Sequence, residues 1–231
     1  RTVRFSLSPL VSIRYNSLYF PTGATPMKTT KPGSIFIISA ASGTGKTTLV
    51  SRVIANHPEI RVSVSHTTRA PRGGEIPGQH YHFIDPTKFE QLISEGAFLE
   101  YAMVYGNYYG TSIEGVKMLQ DSGFDVILEI DVQGAQQVRR NLPEAVGIFI
   151  LPPSFQVLAE RLHGRGTDEP EVIEKRLNKA RSEIEQSLLF DYVVVNDDLV
   201  QAEMDLVHII KSHRLTQPQQ QRFIENLLEN S

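Results

Sequence analysis

Ser34-Ile35-Phe36-Ile37-Ile38-Ser39-Ala40-Ala41-Ser42-Gly43-Thr44-Gly45-Lys46-Thr47-Thr48 is the stretch that decides the fold. A short β-branched and aromatic run stops at a turn of small residues, and Lys-Thr-Thr then opens a helical pattern. Strand, glycine-containing turn and helix in that order are the layout of a phosphate-binding P-loop. Small residues let successive backbone N–H groups converge on one point, where the helix presents the positive end of its dipole. Ala40, Ala41, Ser42, Gly43, Thr44, Gly45, Lys46, Thr47 and Thr48 are therefore the predicted triphosphate loop, with Ala40 standing where glycine is common. Lys46 adds a mobile point charge for the β- and γ-phosphates, and the Thr47 hydroxyl is a hard oxygen ligand suited to Mg²⁺.

Working outward, 231 residues suffice for one sizeable α/β domain with small inserted lobes. A net charge of −3 argues against a protein that coats nucleic acid. The absence of cysteine excludes disulfides, thiolate metal sites and cysteine nucleophiles, and fits a reducing, cytoplasmic setting. No apolar run approaches the length needed to cross a membrane. Residues 1–26 carry Arg1, Arg4 and Arg14 without any acid. That composition suits a transit peptide, but no amphipathic period runs through it and Met27-Lys28 is a natural start. The segment reads as an upstream extension, peripheral and without chemistry.

Helical spacing is expected over Lys46 to Asn56, Pro86 to Glu95, Ser112 to Asp121 and Gln133 to Arg140, then Ser154 to His163 and Pro170 to Leu189. Two further amphipathic helices are split near Gln217-Pro218, and the segment Leu215 to Leu228 could pack on a second copy in a homo-oligomer. Strand patterns are expected over Arg61 to His66, His80 to Ile84, Ala97 to Val104, Asp125 to Asp131 and Val146 to Leu151, with Tyr192 to Val195 as a last core strand. Gly106-Asn107-Tyr108-Tyr109-Gly110 reads as a turn. Strands alternating with helices around a P-loop predict an α/β fold, a parallel sheet flanked by helices. Residues 65–111 interrupt that rhythm and read as an inserted, mixed-β substrate lobe.

A second constellation is Ser65-His66-Thr67-Thr68-Arg69-Ala70-Pro71-Arg72, followed by Gly73-Gly74-Glu75 and Tyr81. Two arginines three apart on a stiffened loop can converge as forked donors on one phosphate, with hydroxyls from Ser65, Tyr81 and Tyr109 completing a cage. An isolated pair of loop arginines is usually just solvated. Beside a P-loop, which needs an acceptor, the pair reads as a second anion site. A third feature is acidic: Glu100, Thr111 and Glu129 stand among apolar neighbours. A carboxylate accepts two hydrogen bonds side by side, matching the N1–H and 2-amino donors of guanine, whereas adenine presents an acceptor at N1. Sequence alone does not single out Glu100, which reads equally as a strand-end surface charge.

Taken together, Ser-Gly-x-Gly-Lys-Thr, Ser-His-Thr-Thr-Arg-x-Pro-Arg-x-Gly-Glu, Gly-Asn-Tyr-Tyr-Gly-Thr, Leu-Glu-Ile-Asp-x-Gln-Gly, Arg-Leu-x-Gly-Arg-Gly and Val-Asn-Asp-Asp resemble the guanylate kinases, in family order, over about Gly33 to His213. The resemblance implies ATP and GMP as substrates, Mg²⁺ as the accompanying ion, and a bacterial, cytoplasmic enzyme of purine metabolism. It implies that Ser65, Arg69, Arg72, Tyr81 and Tyr109 hold the GMP phosphate. Glu100, Thr111 and Glu129 would read the guanine edge, Thr111 at O6. Asp131 would support Mg²⁺ through water alongside Thr47. Lys46, Arg161, Arg165 and Arg176 would be the catalytic cations, the three arginines in a lid, with Asn196 and Asp197 near the nucleotide base. Core segments are expected at about 33–63, 112–151 and 190–231, a GMP-binding lobe at about 64–111 and a helical lid at about 152–189.

Two other readings compete. Guanylate-kinase-like domains also occur as inactive peptide-binding scaffolds, typically with an eroded P-loop, whereas Gly45-Lys46-Thr47 is whole here. Another P-loop kinase with a different small acceptor would fit Arg69 and Arg72 alone, and Glu100 with Thr111 argues against it.

Overall fold

The computed structural model describes residues 31–104, 106–163 and 170–229. The extension expected over residues 1–26 lies outside them. In chain order the elements are β1 (Ile35–Ala40), α1 (Lys46–Asn56), β2 (Ile60–Val62), β3 (His66–Thr67), β4 (His82–Phe83), α2 (Pro86–Ser94), β5 (Phe98–Val104), β6 (Asn107–Ser112) and α3 (Ile113–Asp121). They continue with β7 (Asp125–Glu129), α4 (Val132–Asn141), β8 (Val146–Leu151), α5 (Phe155–His163), α6 (Pro170–Glu185), a 3₁₀ turn at Gln186–Leu189, β9 (Tyr192–Val195), α7 (Leu199–His213) and α8 (Gln217–Glu229).

Five strands form a parallel sheet in the order β2-β7-β1-β8-β9. Its centre, β1, is buried on both faces, as a continuous apolar run in a parallel sheet requires. Because successive side chains point to opposite faces, Phe36 and Ile38 pack with Leu49 and Val53 of α1 and Leu206 and Ile210 of α7. Ile35 and Ile37 pack on the other side with Val116 of α3 and Ala135 and Val138 of α4. Each such fully buried side chain contributes about 1.5–3 kcal/mol. A third cluster joins Ala41 of the P-loop to Leu158 and Leu162 of α5 and Ala180 of α6. The helices that follow β8 therefore sit directly on the triphosphate loop.

A second, mixed sheet runs β4-β3-β6-β5. It overturns one expectation outright: residues 107–110 lie in a strand, not a turn. The reversal is tighter than expected, because Val104 pairs with Asn107 and Gly106 takes φ 77°, a conformation a side chain would resist. Tyr108 then lies on the sheet surface, stacked at 4.9 Å on Phe89 of α2. The single strand expected over Arg61 to His66 is divided in two. Ser63 N still bonds to the parallel sheet, at Ile127 O, whereas His66–Thr67 belongs to the second sheet. Tyr192–Val195 is an edge rather than a core strand, with Val194 alone buried.

Candidate functional site

The P-loop emerges from β1, and two glycines shape it. Gly43 and Gly45 adopt φ 91° and 90°, in the left-handed region that other residues rarely enter. A Cβ on Gly45 would stand 2.5 Å from Asn196 Nδ2. No side chain caps the N-terminus of α1, so the positive end of its dipole opens onto the loop. The Thr44 carbonyl points the other way and is held from two sides, accepting from Asn196 Nδ2 at 2.8 Å and from Arg161 Nη1 at 3.1 Å. Arg161 Nη2 also donates to the Asn196 carbonyl at 3.1 Å. Arg161, expected to reach over the phosphates, thus ties the backbone of the loop to that of Asn196. Arg176 does approach from α6, donating to Ser42 Oγ at 3.2 Å. Arg165 lies outside the described residues.

Lys46 and Thr47 both meet Glu129. Thr47 Oγ1 donates to Glu129 Oε1 at 2.6 Å, and Lys46 Nζ stands 3.5 Å from the same oxygen. Burial pushes the Lys46 ammonium below its usual pKa, and Glu129 opposes that shift. Glu129, expected at the guanine edge, thus meets two residues of the P-loop. It is the last residue of β7, beside Ile38 of β1, so its carboxylate emerges next to the loop that β1 feeds. Asp131, expected at the metal, has left the sheet and caps α4, accepting from Gly134 N at 2.9 Å. Its charge is felt both by Lys46 and by Glu100, so it stands between the two sites.

Glu100 is 6% exposed, and its Oε1 accepts from Thr111 Oγ1 at 2.6 Å across the β5–β6 pair. The Thr111 hydroxyl, expected at a guanine O6, is thus donated to Glu100. Burial raises the Glu100 carboxyl to about 7, the Thr111 bond resists, and Asp131 adds to the rise. A buried carboxylate with lone pairs still to satisfy suits a ligand that brings donors.

The residues expected to form a phosphate cage lie on or beside the same sheet. Arg69 lies over the Tyr81 ring at 5.4 Å and interacts electrostatically with Tyr109, whose ring is 5.9 Å from that of Tyr81. Its fork was expected to be open, yet Glu75 fills it, with contacts of 3.0 Å and 2.8 Å. The Arg69 guanidinium holds the Glu75 carboxyl down at about 2. Glu75 also accepts from Arg72 N at 2.7 Å, while the Arg72 side chain is exposed. Ser65 leads into β3, its carbonyl accepting from His82 N at 2.9 Å. Glu129 acts electrostatically on Tyr81 as well as on Lys46.

Sequence reasoning missed Glu183 of α6, which accepts weakly from Ser42 N at 3.4 Å and acts on Lys46. It carries no local signal, being one acid among several on an exposed helix. Among the described residues no three or more His, Asp or Glu gather as a metal cluster.

Residues 33–213 match the family model described as guanylate kinase. A guanylate kinase of Neisseria gonorrhoeae is 69% identical over 205 residues, 89% of this chain and 100% of the relative. One from Thiobacillus denitrificans is 52% identical, covering 80% of this chain and 88% of its own. The crystal structure of guanylate kinase from Anaplasma phagocytophilum superposes with a TM-score of 0.66 at 32% identity, over 81% of this chain and 89% of that one. With the P-loop, the caged arginine and the buried carboxylate in place, the chain belongs to the guanylate kinase family of nucleoside monophosphate kinases.

Proposed function

We propose that this chain transfers the γ-phosphoryl group of ATP to GMP, in line and with Mg²⁺, yielding ADP and GDP. One observation carries the reading: the buried Glu100–Thr111 pair lies on one sheet with Tyr109, while Arg69 and Tyr81 flank that sheet's strands β3 and β4, and the charge of Asp131 acts both on Glu100 and on Lys46 of the P-loop. A base of GMP at Glu100 and its phosphate near Arg69 would leave that phosphate facing Lys46. Ionised Glu100 accepts guanine N1–H and the 2-amino group, and rejects adenine, which would set a lone pair against a buried charge.

An anionic oxygen of the GMP phosphate forms the new bond to the γ-phosphorus, and the bond to the β–γ bridging oxygen breaks with its electron pair leaving on ADP. No general base is required, since the nucleophile is already charged. Positioning and neutralisation carry the catalysis. Lys46 and the loop amides hold the triphosphate, while Arg176 borders the loop at Ser42. Arg161 and Asn196 fix the Thr44 carbonyl so that the amides stay aimed outward. Thr47 and Glu129 are neighbouring hard oxygen donors that fit Mg²⁺, which when bound supplies positive charge to the phosphates. We place the reaction in the cytoplasm, in purine nucleotide metabolism and GMP recycling. ADP release measured with GMP, AMP, CMP and UMP tests the assignment. GMP is expected to be the preferred acceptor, and turnover with AMP but none with GMP overturns it.

A further inference from the structure

Glu100 sits on β5, and β5 is an edge strand of the second sheet. In an extended strand the N–H and C=O of one residue face the same side. Glu100 pairs inward with Thr111 after an irregularity in register between Phe98 and Glu100, and the Leu99 carbonyl and both backbone groups of Tyr101 face the open edge. An open edge ordinarily invites another strand. Here α4 closes it. Gln137 Nε2 donates to the Tyr101 carbonyl at 2.9 Å, and Gln137 Oε1 accepts from Tyr101 N at 3.2 Å. The carboxamide thereby presents one donor and one acceptor as a partner strand's peptide would. Asn141 Nδ2 donates to the Leu99 carbonyl at 3.2 Å. The residue of α4 opposite Glu100 itself is Gly134, where a Cβ would lie 2.7 Å from Glu100 Oε2 and 3.2 Å from its Cδ. Gly134, Gln137 and Asn141 are spaced three and four apart, so they form one face of the helix.

We propose that this face of α4 is the positioning device for guanine selection: Gln137 and Asn141 pin the backbone on either side of Glu100, and Gly134 leaves the space its carboxylate occupies. The proposal rests on the assignment of Glu100 as the base-reading residue. It adds that selectivity is set from the core of the molecule, by residues on a helix of the parallel sheet rather than of the GMP lobe. A reading carboxylate must be held to within about 0.5 Å, which a solitary edge strand does not ensure.

The test compares GMP with IMP, the same ring lacking the 2-amino group, as acceptors for the full chain and its Gln137→Met, Gly134→Ala and Glu100→Gln variants. Gln137→Met keeps length and bulk while removing both bonds. It and Gly134→Ala are expected to raise KM for GMP by about threefold to tenfold, the worth of one or two net hydrogen bonds, and to lower the GMP-to-IMP ratio of kcat/KM by a similar factor. KM for ATP stays unchanged. A role confined to stability would lower the melting temperature and leave that ratio alone, and this result overturns the proposal, as does an equal loss with both acceptors. If Gly134→Ala fails to fold, Gln137→Met decides by itself. Glu100→Gln keeps the two failures apart. A lowered ratio there with an unchanged one in Gln137→Met sinks the positioning role alone, whereas an unchanged ratio in Glu100→Gln removes the base-reading assignment on which it rests.

Discussion

The pH dependence of GMP binding follows from how Glu100 is buried. A carboxyl raised to about 7 is mostly protonated at pH 6 and mostly ionised at pH 8. Only the ionised form accepts both guanine donors, so a site with that value gives KM for GMP about tenfold higher at pH 6 than at pH 8. The substrate complicates this, because a phosphate monoester has its own second pKa of about 6. Glu100→Gln resolves the ambiguity by removing the protein's titration and leaving that of the substrate. Steady-state kinetics at saturating ATP, from pH 6 to 8, should show a steep KM profile in the wild type and a shallow one in the variant. Binding must also release a proton, since the guanine donors favour the carboxylate, and calorimetry in two buffers of different ionisation enthalpy measures it. The same shift acts on stability in a definite direction. A folded value above the unfolded one of 4.5 means that protonation favours the fold below that pH, and the benefit is lost as pH rises to about 7. The loss amounts to about 3 kcal/mol. Superimposable wild-type and Glu100→Gln profiles, with no proton released, would refute the reasoning.

Three further outcomes are expected. Glu129→Gln should lower kcat by about 10²-fold or more while leaving KM for GMP nearly unchanged, because it weakens the charge beside Lys46 and Thr47. If KM for GMP rises instead as it does in Glu100→Gln, Glu129 belongs to the base after all. Gly45→Ala places a side chain at φ 90° and 2.5 Å from Asn196 Nδ2, so ATP affinity measured by calorimetry should fall more than about tenfold, from backbone strain of 1–3 kcal/mol and a displaced Asn196. His66 is buried between His82 and Phe98 with no partner for Nδ1, and burial, reinforced by His82, lowers it to about 4. Its folded value lies below the unfolded one, so stability present above pH 6.5 is lost as pH falls toward 4, by up to about 3 kcal/mol. Glu100 gains stability over the same range, so the readout is the difference between proteins: urea unfolding should show His66→Phe more stable relative to the wild type at pH 5 than at pH 7, since the Glu100 contribution is common to both.

The parallel sheet was legible because its signals are local. The apolar runs at Ile35–Ala40, Asp125–Glu129 and Val146–Leu151 are continuous, and capping residues such as Asp85 and Ser112 mark where helices begin. The second sheet was less legible because it is made of pairings between distant, short segments. Nothing near His66–Thr67 announces that it pairs with Tyr109 and Gly110. Asn107 to Gly110 carries glycine and asparagine that signal a turn, and its strand character comes from cross-strand partners and from Phe89 beneath Tyr108. Pairings inside the site were hidden for a similar reason. Whether Arg69 meets a phosphate or Glu75 depends on the course of the loop between them, which composition does not specify.

The two acids of Leu-Glu-Ile-Asp show what decides such cases. Placed two apart on one continuous strand, Glu129 and Asp131 would project from the same face, and the later one would be the strand-end acid nearer the metal. But β7 stops at Glu129, and the chain turns at once into α4, with Asp131 at ψ 177° as its N-cap. Helix capping claims the Asp131 carboxylate for the Gly134 amide, leaving Glu129 at the strand end beside the P-loop. Two residues of strand length thus decide which carboxylate stands beside the P-loop. The same capped turn brings Gly134 against Glu100, so the event that fixes the acid beside the triphosphate loop also fixes the helix bordering the base reader. On the proposed roles of Glu129 and Glu100, a change at Asp131 should disturb both sites through the start of α4: Asp131→Ala is expected to raise KM for GMP and lower kcat together, where Glu129→Gln lowers kcat alone.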